Sequence, residues 1–219
     1  MKSFFNKYKH GLLLIYFLFY MPWFAFLNSF TPIRNNPIVM YCPIDDLIPF
    51  CEFFVIPYFL WFAYIALGHV YLFIVSRNEF VRMCIFLYTG MTVCLIIYTL
   101  FPNCQQLRID YNQLGRSNIL ISAIETLQNT DTPYNVFPSI HCLNSIGMHI
   151  AIAKSKFLGK YRKPVVISSF ILAVLIVLST VFVKQHSILD MFGAFALSVP
   201  LYFLAYKPKY KKISDEACL

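Results

Sequence analysis

The chain has 219 residues, of which 59% are hydrophobic and only 13% charged, with a formal net charge of +8. A soluble domain carries about 25% charged residues, so this composition excludes a soluble enzyme and points to a membrane protein. The basic excess reads as a membrane-topology signal, and nucleic acid is excluded as a partner.

Apolar runs of roughly 17 to 25 residues mark membrane-spanning helices. Six candidates lie near 11–30, 51–75, 81–101, 139–153, 164–183 and 187–206. The expected fold is therefore all-α, a six-helix polytopic membrane protein built as one domain over residues 1–219. The first run follows lysines, as a signal peptide would. It is longer than such a peptide's apolar core and ends in "WFAFLNSFTP" with no small-residue cleavage pattern, so it reads as a retained helix. Asp45 and Asp46 precede the second run and read as its cap or anchor. His69 and His149 each stand alone on a span and read as satisfied core histidines. Between the third and fourth runs, "SNILISAIETLQNT" (117–130) keeps Ile121, Ile124, Leu127 and Gln128 at near-helical spacing. It predicts a short interfacial helix with Ser117 as N-cap. The fourth run is short and polar and needs cover from its neighbours.

An even helix count puts both termini on one side. Lys2, Lys7, Lys9, Arg77, Arg82, the "KSKFLGKYRK" loop and the lysines of "KPKYKK" then share that side. They make up fourteen of the eighteen basic residues. Such an excess marks the cytoplasmic face, with attraction to anionic lipid as a further consequence. Arg34, Arg108, Arg116 and Lys184 remain for the other face. The seven cysteines form no framework or zinc spacing. No metal site and no cofactor is expected. Cys84 and Cys94 read as apolar fillers, Cys42 and Cys51 as a candidate outer pair, and the terminal "EACL" is not a prenylation box.

This topology brings three polar stretches to one face: "FPNCQQLRID" (101–110), "FPSIHC" (137–142) and "STVFVKQHSILD" (179–190). Ionisable groups at membrane depth are costly and mark function. His186 and Asp190 are four apart, so a helix makes them neighbours. A carboxylate on one imidazole nitrogen fixes the tautomer and leaves the other nitrogen as nucleophile or base. Lys184 is four residues from Thr180 and can address an anion from a similar spot. Pro138 and Ser139 start a helix, whose N-terminus attracts anions. His141, in that first turn, can protonate a leaving oxygen, and Arg108 offers a planar cation suited to phosphate. Two histidines, an orienting carboxylate, cations and a helix N-terminus suit phosphoryl transfer through a phosphohistidine.

"PSIH" followed by "HSILD" resembles the type 2 phosphatidic acid phosphatase (PAP2) superfamily. Its pattern is K-x6-R-P, P-S-G-H and S-R-x5-H-x3-D. The resemblance implies a metal-independent lipid phosphatase with six spans and an outward-facing site in the cell membrane. It implies His186 as nucleophile, Asp190 as its partner and His141 as general acid. Ser139 would donate to phosphate, and Arg108 and Ser179 match the arginine and serine of the first and third motifs. The chain departs from the pattern at Phe101, Ile109, Ile140 and Thr180, and Lys184 is the candidate replacement for a missing cation. The variant is also similar to bacterial PAP2-like proteins and to inositol phosphorylceramide synthase-type transferases, in which a lipid hydroxyl replaces water as acceptor. The implied partner is a lipid phosphate, as mono- or diphosphate.

Overall fold

The structure, a computed structural model, describes residues 8–33 and 36–207. Lys2, Lys7, Arg34, Lys209, Lys211, Lys212 and the "EACL" terminus lie outside the described residues. Its helices are α1 (Tyr16–Phe30), α2 (Ile44–Leu47), α3 (Val55–Val75), α4 (Arg77–Leu100), α5 (Ile119–Thr130), α6 (Ile140–Lys154), α7 (Arg162–Phe182) and α8 (Ile188–Tyr206). Short 3-10 turns extend α1, α3 and α7 at their N-terminal ends.

Among the described residues, five helical segments are long and apolar enough to cross a membrane: Lys9–Phe30, Glu52–Val75, Arg77–Leu100, Gly159–Phe182 and Ile188–Tyr206. The chain is thus an all-α polytopic membrane protein. The fourth expected span, α6, has 15 residues. At 1.5 Å per residue it reaches about 22 Å, short of a hydrocarbon core of about 30 Å. Its cover comes from α3, α4, α7 and α8, all packed against it. Their approach is close: a Cβ at Gly147 of α6 would overlap the Phe86 ring of α4.

The third span begins at Arg77, earlier than the run at 81 suggested. Ser76 is extended and its Oγ accepts from the Glu79 amide, so a Ser-x-x-Glu pattern starts α4 after a one-residue break. Arg77 therefore opens a helix rather than lying between two runs. The stretch 117–130 does contain a helix, α5, but it is capped by Asn118, not Ser117. The Asn118 side-chain oxygen accepts from both Leu120 and Ile121 amides.

At one end of the bundle the loops are tied together. Residues Ile38–Val39 and Asn103–Cys104 form a two-residue parallel pair, β1 with β2. The composition gave no sign of this pair, because it is too short to carry a periodicity. Asn103 accepts from the amides of Val136 and Phe137 through Oδ1. Asn135 bonds Thr31 and Asn28. Cys42 and Cys51 are both free thiols, so the candidate outer pair does not form.

Candidate active site

The three polar stretches meet at the end of the bundle that holds these loops. Ser139 is the N-cap of α6, its Oγ accepting from the Cys142 amide. The Phe137–Pro138 peptide is cis. The Tyr98 hydroxyl donates to the Pro138 carbonyl at 2.6 Å, and the Ser139 amide donates to the Asp190 carbonyl at 3.1 Å. That last bond joins the "PSIH" turn directly to the "HSILD" turn.

His141, in the first turn of α6, is half-buried. Its ring lies 4.7 Å from Tyr58 and 4.4 Å from Trp61, centre to centre. The His186 ring is 5.9 Å away at 61°. His186 Nδ1 faces Asp190 Oδ2 at 3.1 Å. With the carboxylate ionised, Nδ1 carries the proton and Nε2 keeps its lone pair. The pairing arises differently from the expected helical neighbours. His186 precedes α8, and Asp190 is the third residue of a capping box whose N-cap is Ser187. Asp190 Oδ2 therefore accepts from the Ser187 amide as well.

Arg108 reaches the end of α5. Its Nη1 donates to the Gln128 carbonyl, and its Nη2 to the Asp131 carbonyl and to Gln185 Oε1. A cation there also opposes the negative end of the helix dipole. Partial burial lowers the Arg108 pKa, while the Asp131 carboxylate works against that shift. Arg108 Nε and Gln185 Nε2 are buried donors without a protein partner.

Ser179 is fully buried and donates to the Ile176 carbonyl. Lys184 lies outside α7, which ends at Phe182, so its spacing from Thr180 is not helical. Its ammonium donates to the carbonyls of Asp45 and Ile48 at 2.8 and 2.6 Å. Burial pushes its pKa down, against the pull of Asp45 and Asp46.

Asp45 does not cap the second span. Its carboxylate binds the start of α8 instead, accepting from Ser187 Oγ at 2.6 Å and the Ile188 amide at 2.8 Å. Sequence reasoning missed this, along with Gln105 and Gln128, whose amides donate to the carbonyls of Lys184 and Val183. His69 and His149 lie away from this cluster. The Nδ1 of His69 meets the Ile65 carbonyl, and that of His149 meets Ser169 Oγ.

The chain is 36% identical over 73 residues to phosphatidylglycerophosphatase B of Bacillus subtilis (strain 168). The match covers 31% of this chain and 36% of that protein, about a third of the relative's length. No family model matches the chain, and no solved structure matches it.

Proposed function

We propose that this protein is a PAP2-type membrane phosphatase that hydrolyses a lipid phosphate, mono- or diphosphate, through a phosphohistidine. The observation that carries the reading is the pair of facing imidazoles, His141 and His186, with Asp190 on the far nitrogen of His186. The partial likeness to a phosphatidylglycerophosphatase supports the lipid class of substrate. Six spans, with α6 as the fourth, complete the proposed membrane domain over residues 1–219.

In the proposed reaction His186 Nε2 attacks phosphorus. The bond from phosphorus to the leaving lipid oxygen breaks, and protonated His141 gives that oxygen its proton. Neutral His141 then takes a proton from water, whose oxygen opens the phosphohistidine and releases phosphate. The two rings lie 5.9 Å apart, edge to face, a separation that lets one phosphoryl group reach both. Arg108, with Nε free, carries the charge of the phosphoryl oxygens, and the amides at the N-terminus of α6 add partial positive charge. Gln185 Nε2 is a further free donor beside Arg108.

The test is phosphate release by the purified chain from phosphatidate, phosphatidylglycerophosphate and isoprenyl phosphates, with and without EDTA. The expected result is release that survives the chelator in the wild type and is lost in His186→Ala. Undiminished release by His186→Ala would exclude the phosphohistidine. A new phosphodiester lipid in place of free phosphate would make the protein a headgroup transferase.

A further inference from the structure

We propose that the segment 42–48 is a clamp that aims His186, with Asp45 as its positioning residue and Lys184 as part of the clamp rather than a substrate-binding cation. The proposal rests on the phosphohistidine reading for its kinetic consequences and on geometry for its mechanism.

His186 belongs to no helix. It sits in the turn between α7 and α8, where its amide and that of Gln185 both donate to the Thr180 carbonyl at 3.0 Å and cap the end of α7. Lys184, two residues earlier, has φ +57°, a left-handed conformation that costs a residue with a side chain. The cap bonds of α7 hold this backbone as far as His186, and segment 42–48 ties down the residues that flank the imidazole on both sides. Before His186, the Lys184 ammonium donates to the carbonyls of Asp45 and Ile48. After it, the Asp45 carboxylate binds Ser187 and Ile188.

Asp45 is 2% exposed, and its third partner, the Cys42 amide, also donates. Three donors surround this one carboxylate, and none of these contacts asks it to donate. The nearby Lys184 ammonium supplies the compensating charge a buried carboxylate needs.

The chain of contacts ends at the proposed nucleophile. Ser187 gives its hydroxyl proton to Asp45, and its oxygen accepts from the Leu189 amide. Its own amide donates to Asp190 Oδ2, the oxygen that also faces His186 Nδ1. Asp45 thus sets Ser187, Ser187 sets Asp190, and Asp190 sets the imidazole. Loss of the clamp would misaim the ring without removing any group that touches substrate.

The experiment compares wild type, Asp45→Asn, Ser187→Ala and Lys184→Met as full-length protein in detergent, on a substrate the wild type turns over. Each variant is expected to lose about tenfold or more in kcat with KM within about twofold. Combining Asp45→Asn with Asp190→Asn should cost little beyond Asp190→Asn alone, since the two act along one path. A raised KM with unchanged kcat in Lys184→Met would return Lys184 to the substrate. Multiplying losses in the double variant would make Asp45 a general stabiliser instead. Hydrogen exchange gives a readout independent of activity. In Asp45→Asn, faster exchange confined to the amides of 184–190 is expected, and unchanged exchange there overturns the clamp even if no lipid phosphate is hydrolysed. If the wild type hydrolyses nothing yet this protection is lost, the clamp stands and the phosphatase reading fails.

Discussion

Asp131 follows the last residue of α5 and brings a carboxylate into a half-buried position beside Arg108 and His186. Burial raises its pKa, and the fields of His186 and Arg108 only partly oppose this. A carboxyl whose folded pKa lies above its unfolded value folds best when protonated. Its favourable contribution is full below the unfolded pKa and is lost as pH rises through the folded one. At neutral pH the charged Asp131 therefore costs stability. Asp131→Asn is expected to raise the thermal unfolding temperature in detergent at pH 7–8. The gain should shrink towards zero as pH falls below about 4, the ordinary aspartate range. A lower unfolding temperature at neutral pH would show that attraction to Arg108 outweighs desolvation.

Helix α6 carries the PSIH turn, and its placement depends on small residues where it meets its neighbours. The ring of Phe86, fully buried, lies where a Cβ at Gly147 would go. Gly68 of α3 faces the side chain of Met148, a flexible chain that can give. Gly147→Ala is therefore expected to lower stability by about 1–3 kcal/mol, the usual cost of overpacking, and Gly68→Ala by less. Thermal unfolding of the two variants side by side checks the order. At this scale the sequence was legible wherever a pattern was local and long. Five of the six apolar runs coincide with helices long enough to cross a membrane, and 117–130 declared itself a helix by its period. Two local signals were misread. The Ser187-x-x-Asp190 spacing is a capping box, which explains why His186 meets Asp190 from a turn and not from a helix face. Lys184 was placed by helical spacing from Thr180, but α7 had already ended at Phe182. Asp45, Gln105 and Gln128 were beyond reach for a different reason. Their partners lie 143, 79 and 55 residues away, and no local period encodes such contacts.

For the whole molecule, the arrangement of charge gives an expectation for the side of the membrane on which the proposed reaction would occur. The C-terminal end of α4, the N-terminal ends of α6 and α8 and the C-terminal end of α7 meet at one end of the bundle, together with His141, His186 and Arg108. Lys154, Lys156, Lys160, Arg162 and Lys163 cluster at the opposite end, between α6 and α7. Short loops rich in lysine and arginine stay in the cytoplasm, so the site end is expected to face outward. Membrane-impermeant thiol labelling tests this in a background with the native cysteines replaced. Asn112→Cys, exposed in the loop before α5, is expected to label in intact cells. Lys156→Cys, exposed in the basic loop, is expected to label only after permeabilisation. The reverse pattern would put the histidine pair on the cytoplasmic side, where the same chemistry would draw on a different leaflet's lipids. With the expected pattern, substrate must present its phosphate in the outer leaflet and phosphate leaves the cell's interior untouched. A phosphatase so placed can act only on lipids already carried across the bilayer.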